Sequence, residues 1–366
     1  MKVLFITPVP VEGAGCRARI IQYLPYLRAA GIEGDVRPFL FTAFFHIAYR
    51  PGSWGKKLWY FLLSTVRRLR DCLHAGEYDV VYIYRECFPF GPPLCEWLIR
   101  RSGTPIVYDI DDAVHLPDPR GSRGRWLIER LKWHSKVPWM VRHSDHVIVG
   151  NDYLKAYARG LTSPVTVLPT PENPQRFNGH AGRSSEPAGA MTIGWIGTHS
   201  TARYLERLTP VFQELARRHP FTLQVIGAGS PVVMPGVRVA NRPWRLEQEA
   251  SDLERFDIGV YPLSGAEFDR GKACYKAILY MAAGIPMVAS NHGANRHIIQ
   301  HGVNGFLASS EHEWLEHLER LMEDAALRKQ LSEEGRKTVM ARYSVEVNAP
   351  TLIRILTDVH ANALRP

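Results

Sequence analysis

Two lysines four residues apart mark the stretch of this sequence that is best suited to bind an anionic ligand. Lys272 and Lys276 lie in RGKACYKAILYMAAGIPMVAS, whose apolar spacing predicts a helix over residues 273–283 that Gly284 ends. Lys272 would then stand at the helix N-terminus and Lys276 one turn inside it. Two ammonium groups at the positive end of a helix dipole suit a diphosphate. The alternative is that both lysines lie on the solvated face of an ordinary helix.

Small residues follow three predicted strands in the same half of the chain. The loops contain Gly197 and Thr198 in WIGTHST, Gly227 in VIGAG, and Gly293 and Asn295 after MVAS. Such loops let backbone amides approach a ligand closely. They favour a phosphate site at the carboxyl ends of these strands.

Another pair of glycines follows the first apolar run, in TPVPVEGAGCRARI. Gly13, Gly15 and Ala18 fit the pattern G-x-G-x-x-A of dinucleotide-binding domains, and Asp35 lies 20 residues after Gly15. That pattern needs its first glycine directly after the strand, whereas VLFIT ends near Thr7. Asp35 also begins a predicted strand, where the pattern requires the end of one. We therefore expect this loop to have another role.

Strands alternate with amphipathic helices along most of the chain, which predicts an α/β protein with parallel sheets and crossover helices. The predicted strands are KVLFIT, DVRPFLF, DVVYIY, PIVYDI, HVIVG and VTVLP, then MTIGWIG, FTLQVIG, VRVA, DIGVYPL and IPMVAS. We expect two doubly wound domains, residues 1–170 and 191–345, joined by a linker over 171–190 that is rich in Pro, Gly and Ser. A C-terminal helix follows in 346–366 and could pack back on the first domain.

Charge and cysteine content restrict the class of protein. The 366 residues carry a net charge of +9, and residues 1–180 hold most of it, with 24 Lys+Arg against 16 Asp+Glu. Five widely spaced cysteines indicate a reducing compartment, and neither a signal peptide nor a membrane-spanning run is recognisable. We expect a cytoplasmic protein. No nucleic-acid recognition module is visible, so we expect no nucleic-acid partner.

Residues 39–70 are unusually aromatic and then basic. Apolar residues recur there at helical spacing, at Leu58, Leu62, Val66, Leu69 and Leu73, with Lys56, Lys57, Arg67, Arg68 and Arg70 around them. One interpretation is that residues 53–73 contact an anionic membrane surface, which would place the protein at the inner face of the plasma membrane. The other is a core-facing helix with a solvated basic face. Residues 120–136 form a second basic and aromatic segment.

Titratable residues follow two strands of the first half. Asp111 and His115 lie in DIDDAVH, after PIVYDI, where several carboxylates also invite a magnesium or manganese site. The plainer alternative is that Asp109 and Asp112 cap the next helix and that His115 packs. The stretch after DVVYIY adds two candidate acceptor contacts, Arg85 and Glu86.

The second half of the sequence resembles a known family. MAAGIPMVAS followed by HGVNGFL resembles the C-terminal domain of family 4 glycosyltransferases, and IGWIGTHSTARYL with RGKACYKAILYMAAG resembles a bacterial surface-polysaccharide branch. The resemblance covers nearly the whole chain and implies the GT-B fold, with two Rossmann-like domains facing a cleft. It also implies a nucleotide-sugar donor, retention of anomeric configuration and no metal or other cofactor. The loop of Gly13 and Gly15 would lie beside the donor diphosphate and the acceptor.

The sequence departs from the family at its usual pair of glutamates. The aligned positions are Gly271 and Leu279, and leucine cannot accept a hydrogen bond from a ribose. Upstream carboxylates, Glu267 or Asp269, could replace the first glutamate at the donor sugar.

Other roles follow from the same alignment. Thr198 and Arg203 align with the family's phosphate-binding Arg and Lys, and Arg242 or Trp244 would frame the base. Asp111 falls near the position where many relatives have a histidine close to the donor sugar, so Asp111 and His115 are expected at the sugar or the acceptor. Lys272 and Lys276 would meet the negative charge of the leaving phosphate.

The sequence is compatible with three functions. The leading hypothesis is a transferase that extends a glycan or lipid-linked acceptor in the synthesis of a cell-surface polysaccharide. A soluble transferase that acts on a small molecule is the second. A degenerate, inactive relative that serves as a scaffold or activator is the third, and Gly271 and Leu279 are the residues that favour it.

Overall fold

The structure is a computed structural model that describes residues 1–117, 131–161, 164–177 and 191–365. Its contacts form two compact units. Unit 1 comprises Met1–Thr170, Gly271–Ala273 and Asn348–Pro366, and unit 2 comprises Pro171–Arg270 and Cys274–Val347. Residues 178–190 of the predicted linker, and most of the basic segment 120–136, lie outside the described residues.

Unit 1 contains a parallel sheet of six strands. They are β1 (Lys2–Thr7), β2 (Glu33–Pro38), β3 (Val80–Tyr84), β4 (Ile106–Ile110), β5 (His146–Val149) and β6 (Val165–Val167). Their order is β2-β1-β3-β4-β5-β6, so the direction of strand addition reverses between β1 and β3. Every residue of β3 and β4 is buried, which explains why DVVYIY and PIVYDI are apolar without alternation.

Helices cover the sheet of unit 1. Those in the described ranges are α1 (Ala14–Arg19), α2 (Leu24–Ala29), α3 (Thr42–Ala48), α4 (Trp54–Leu73), α5 (Leu94–Arg101), α6 (Lys136–His143) and α7 (Asp152–Arg159). The predicted strand DVRPFLF is wrong at both ends, since β2 begins at Glu33 and ends at Pro38. Phe39 instead leaves the strand and is buried in the core.

Unit 2 contains the second parallel sheet. Its strands are β7 (Met191–Ile196), β8 (Phe221–Ile226), β9 (Val239–Arg242), β10 (Ile258–Tyr261), β11 (Met287–Ser290) and β12 (Phe306–Ala308). Their order is β12-β11-β10-β7-β8-β9, the doubly wound order of Rossmann domains, with the reversal between β10 and β7. Consecutive strand residues such as Trp195 and Ile196 belong to different hydrophobic clusters, so both faces of the sheet are covered. Strand β12 was not among the predicted strands, because it has only three residues and follows directly after the glycine-containing stretch HGVNG.

Helices also flank the sheet of unit 2. In the described residues they are α8 (Ala202–Glu206), α9 (Thr209–Arg218), α10 (Glu249–Leu253), α11 (Glu267–Arg270), α12 (Tyr275–Ala283), α13 (Asn295–Ile298), α14 (Glu311–Glu323) and α15 (Ala325–Thr338), and they are followed by α16 (Val345–Ala363). The last of these enters unit 1 at Asn348. The helix predicted over 273–283 begins instead at Tyr275, because Cys274 has a left-handed φ of 52°, and Gly284 ends it with a φ of 72°. Lys272 therefore precedes α12, and Lys276 lies in its first turn.

The amphipathic helix predicted around residues 53–73 is present as α4, but its apolar stripe does not face the core. Leu58, Leu62 and Val66 are exposed. The buried side of α4 instead contains Ser64, Arg68 and Cys72. The core-facing interpretation is therefore wrong, and so is the placement of Arg68 among the surface cations. In the part of the chain that the structure describes, no helix is long and apolar enough to cross a membrane.

Candidate functional site

Two glycines join the carboxyl ends of β7 and β8 in unit 2. The N–H of Gly197 donates to the carbonyl oxygen of Ile226 at 2.9 Å, and the N–H of Gly227 donates to that of Arg242 at 3.0 Å. Gly227 has a φ of 80°, and a Cβ at this position would overlap the carbonyl oxygen of Gly197. Only glycine allows the two loops to approach this closely. They lie at the carboxyl end of the sheet, where such folds bind their ligands.

Lys276 lies against the first of these loops. Its ammonium nitrogen is 4.3 Å from the centroid of the Trp195 ring and 5.6 Å from that of Tyr261. Trp195 is the penultimate residue of β7, and Tyr261 is the last residue of β10. Lys276 also donates a hydrogen bond to Oγ1 of Thr201 at 3.4 Å. A Cβ at Gly197 would come within 2.6 Å of the ammonium nitrogen. The ammonium group of Lys276 therefore lies against β7 and β10, the two strands between which the strand order reverses.

We call Gly197, Thr198, Thr201 and Lys276 the anion cradle. The N–H of Thr198 donates to Oγ1 of Thr201 at 3.2 Å, which shapes the turn after β7. Lys276 is the second residue of α12, whose N-terminus carries partial positive charge. Arg203 lies nearby in sequence, in α8, with its guanidinium over the ring of Tyr204 at 5.5 Å.

Trp244 follows β9 beside the second glycine. A Cβ at Gly227 would lie 3.1 Å from the Cβ of Trp244, and the indole N–H donates to Glu249 at 2.8 Å. Because this N–H is used by Glu249, the indole would meet a base with its ring. Arg242, at the end of β9, forms an ion pair with Asp252 at 3.3 Å.

A chain of charged side chains holds Glu249. Arg176 donates to Glu249 and to Glu172, each at 3.0 Å, and Glu172 also accepts a hydrogen bond from the hydroxyl of Tyr275. Burial opposes the charge of Arg176, but the two carboxylates outweigh that effect and raise its pKa. Tyr275 is the first residue of α12, so this chain connects Trp244 with the helix that carries Lys276.

The two carboxylates proposed for the donor sugar differ in their surroundings. Asp269 is fully buried, and its carboxylate accepts hydrogen bonds from the N–H of Ser264 at 2.8 Å and from the hydroxyl of Tyr204 at 3.3 Å. It therefore fixes the loop after β10. Glu267 begins α11 and is exposed, which makes it the more accessible of the two.

The loop after β11 packs against the loop after β10. Gly293 has a φ of 57°, and a Cβ there would lie 2.7 Å from the carbonyl oxygen of Asp269. Asn295 is buried in α13, and its amide donates to the carbonyl oxygen of Ser290 at 3.0 Å. Both residues therefore support the loops around the carboxyl ends of these strands.

The positions aligned with the family's glutamates are packing positions. Leu279 is buried within a hydrophobic cluster of unit 2. Gly271 is buried in unit 1, where a Cβ would lie 2.6 Å from the Cβ of Ala113. The Gly271 site has no room for a larger side chain, and the Leu279 site would surround a carboxylate with apolar neighbours.

In unit 1, two aspartates at the end of β4 meet two tyrosines of β3. The hydroxyl of Tyr82 donates to Asp109 at 2.5 Å, and that of Tyr84 donates to both carboxylate oxygens of Asp111 at 2.9 Å. Asp109 is also bonded by Arg19 of α1, at 2.9 Å from Nε. Asp109 is therefore a buried strand residue, and the interpretation of it as a helix cap is wrong.

Arg85 joins the same acidic group. It has a left-handed φ of 63°, and its Nε donates to Asp111 at 2.7 Å while another nitrogen bonds Asp112. Burial would raise the pKa of Asp111, but the adjacent Arg85 charge outweighs it and holds that pKa below its usual value. For the neighbouring Glu86, burial raises the pKa of the carboxyl. Asp111 therefore favours its charged form, whereas burial favours the neutral form of Glu86.

The glycine loop of unit 1 is shaped by packing. Gly13 caps α1, and a Cβ there would lie 2.8 Å from the Cβ of Val9. Gly15 lies in α1, and a Cβ there would overlap the hydroxyl of Tyr84. The Tyr84 hydroxyl packs against Gly15 and donates to Asp111, so Tyr84 connects the glycine loop with this carboxylate.

The last two predicted catalytic residues, His115 and Lys272, are held by neighbours in unit 1. The His115 ring stacks on Tyr157, with centroids 3.8 Å apart. Lys272 is buried, and its carbonyl oxygen accepts a hydrogen bond from the amide of Asn151 at 3.0 Å. Lys272 belongs to unit 1 and Lys276 to unit 2.

Several residues around these sites were missed by the sequence analysis. They are Tyr84, Asn151, Arg176, Trp195, Thr201 and Glu249. Trp195 and Tyr84 stand at strand ends, which was a usable signal, whereas Arg176 and Glu249 are brought together only by the fold. Within the described ranges, no group of three or more His, Cys, Asp or Glu residues could hold a metal ion.

Replacing Gly15 with alanine should disturb Asp111 through Tyr84. The added methyl group overlaps the Tyr84 hydroxyl, so we expect a loss of about 1–3 kcal/mol in unfolding free energy and a melting temperature lower by a few degrees. Gly55→Ala is the control, because no heavy atom lies within 4 Å of a Cβ there. Equal melting temperatures for the two variants would contradict the packing role of Gly15.

Lys276→Ala should weaken the binding of nucleoside diphosphates by about 10- to 100-fold, because it removes a charged contact from the anion cradle. The melting temperature of the ligand-free protein should change little, since a cation–π contact contributes only about 1 kcal/mol. Calorimetric titration and thermal melts measure the two effects, with the exposed Lys329→Ala as control. A large drop in melting temperature with unchanged binding would show that Lys276 is structural.

Glu249→Gln tests whether Trp244 contacts the base of a bound nucleotide. It removes the carboxylate charge facing Arg176 and weakens the hold on the indole, so we expect a nucleoside diphosphate to bind less tightly while inorganic pyrophosphate binds as before. The unfolding free energy should fall by about 1–3 kcal/mol. The exposed Glu247→Gln is the control. An equal loss of affinity for both ligands would place the effect on the anion cradle instead.

Comparisons with known proteins bear on the fold and on residues 190–324. Residues 190–324 match the family model described as Glycosyl transferases group 1. No curated protein matches the chain. Sucrose-phosphate synthase from Thermosynechococcus elongatus superposes with a TM-score of 0.68 at 17% identity, covering 99% of this chain and 100% of that one.

Two further solved structures cover almost the whole chain. A glycosyltransferase from Rickettsia africae has a TM-score of 0.68 at 13% identity, with 98% of each chain covered. HepE of Anabaena, in complex with UDP and glucose, has a TM-score of 0.65 at 16% identity, with 98% of this chain and 99% of that one covered. The chain therefore has the α/β fold of GT-B glycosyltransferases, and its residues 190–324 are similar to the Glycosyl transferases group 1 family.

Proposed function

We propose that this glycosyltransferase moves a sugar from a nucleoside-diphosphate sugar to a glycan or lipid-linked acceptor in the synthesis of a cell-surface polysaccharide. The anion cradle is the observation that carries the proposal. It joins a lysine, a helix N-terminus and a glycine loop at the carboxyl ends of β7 and β8. These are the elements that bind a diphosphate without a metal ion. Trp244 lies beside the second glycine of the same edge, where a base would stack.

The transfer is proposed to retain the anomeric configuration. The bond between C1 of the sugar and the phosphate oxygen breaks, and its electron pair stays on the leaving diphosphate. The acceptor oxygen bonds to C1 on the same face, and its proton passes to the leaving phosphate oxygen. Lys276 stabilises the charge that develops on the diphosphate, so catalysis depends on positioning and electrostatics. Asp111, whose carboxylate is kept charged beside Arg85, is proposed to contact the sugar or the acceptor.

The similarity to HepE supports uridine diphosphate donors as the first probes, because that protein was solved with UDP and with UDP-glucose. A different observation favours a small-molecule acceptor, namely the similarity to a sucrose-phosphate synthase. The two alternatives differ in the acceptor and share the donor site of unit 2.

The inactive scaffold is the other alternative. It is favoured by Leu279, which is buried in the hydrophobic core where relatives carry a glutamate. Such a protein would bind no nucleotide, or would bind it without turnover.

A thermal-shift panel of UDP, GDP, dTDP, ADP and CMP, with their common sugar conjugates, tests the proposal. We expect one base to stabilise the protein, since a ligand at a hundred times its dissociation constant adds about 2.7 kcal/mol and raises the melting temperature by a few degrees. With the donor known, NMR of the product's anomeric proton checks retention. A flat panel would overturn the proposal and favour the scaffold.

A further inference from the structure

Helix α4 of unit 1 exposes a continuous apolar stripe. Trp54, Leu58, Trp59, Leu62, Val66, Leu69 and Leu73 are between 41% and 77% exposed. The helix has 20 residues and is therefore about 30 Å long. Scattered apolar side chains are common on protein surfaces, but seven along one face of one helix form a patch that needs a partner.

Cations border this stripe. At 100° per residue, Lys56, Arg67 and Arg70 fall along one edge of it, and all three are exposed. Lys57 lies toward the other edge, 4.9 Å from the ring of Trp54. The helix sequence contains five basic residues and one acidic residue, Asp71. The partner that fits must therefore be both apolar and anionic.

The opposite face of α4 attaches the helix firmly to the sheet. Arg68 is buried and donates to the carbonyl oxygen of Arg37 at 2.8 Å and to that of Thr7 at 3.3 Å. Thr7 ends β1 and Arg37 is the penultimate residue of β2. The apolar stripe is thus fixed to the carboxyl edge of the sheet, beyond which Gly13, Gly15 and Asp111 lie.

We propose that the stripe of α4 docks unit 1 on an anionic phospholipid bilayer. An amphipathic helix with a cationic border lies in the plane of such a surface, with its apolar side chains among the acyl chains and its lysines and arginines at the headgroups. Trp54 and Trp59 stand near the N-terminal end of the helix, and tryptophan favours this interfacial depth. The proposal deepens the proposed function, because a docked sheet edge would meet a lipid-linked acceptor at the membrane surface.

A second copy of the chain is the competing occupant. Self-association through α4 would bring Lys56, Arg67 and Arg70 close to their own copies, with Asp71 as the one acidic residue on the helix to offset them. Asp71 already pairs with Arg68, at 3.6 Å. Like charges at the edge of an apolar seam disfavour pairing, whereas anionic headgroups attract the same cations. The charge pattern therefore favours the bilayer.

Flotation of the full chain with vesicles tests the proposal without any nucleotide. We expect binding to phosphatidylcholine vesicles that contain phosphatidylglycerol and little binding to pure phosphatidylcholine. The triple variant Lys56→Gln/Arg67→Gln/Arg70→Gln should lose about fivefold in affinity for each cation removed. The variant Leu58→Gln/Leu62→Gln/Leu69→Gln should also lose binding, and melts should confirm that it folds, since these side chains are already exposed.

A matched control separates local charge from net charge. Arg217→Gln/Lys329→Gln/Lys337→Gln removes three exposed cations from helices of unit 2 and should bind vesicles like the wild type. Equal losses in the two charge variants would overturn docking through α4. So would a wild-type dimer in light scattering that the leucine variant dissociates, because the stripe would then bind a second copy. All variants should keep the nucleotide thermal shift, so failure of docking is distinct from failure of the proposed donor site.

Discussion

A buried carboxylate must be paired, and this requirement organises the functional edge of unit 1. Asp109 lies inside the sheet, where Arg19 and Tyr82 bond it and tie α1 to β4. One step further along, Asp111 is bonded by Tyr84, and Gly15 provides the space that the Tyr84 hydroxyl occupies. The glycine loop, α1 and the acidic end of β4 therefore act as one assembly, in which moving one part displaces the others.

Unit 2 meets the same requirement with different elements. Arg176 connects Glu172 and Glu249, and these carboxylates bond Tyr275 and Trp244. A loop after β9 and the first turn of α12 are thereby held by one polar chain, although they are far apart in sequence. The same polar chain thus holds Trp244, which is expected to stack on a base, and α12, which carries Lys276. A site that stabilises charge needs this preorganisation.

The sequence predicted the type of most elements but not what they face. Buried strands were recognised because parallel sheets leave continuous apolar runs, and α4 was recognised from its period. Periodicity shows that a stripe exists, not whether core or solvent meets it, so the burial of Arg68 was not foreseen. The start of α12 was placed too early because a left-handed residue at Cys274 has no signal in a non-glycine position. Contacts such as Arg176 with Glu249 join residues 73 positions apart and need the fold.

The substitution at Leu279 has a consequence for how a donor would be recognised. A leucine buried in the core cannot bond a ribose, so on the proposed function the affinity must come from the diphosphate at the anion cradle and from the base beside Trp244. Recognition of a diphosphate by a lysine and a helix N-terminus depends on charge and does not distinguish one nucleoside from another. Selectivity among donors would then rest on Trp244, which would stack on the base, and on the loops after β10 and β11. Asp269 and Gly293 shape the backbone of these loops.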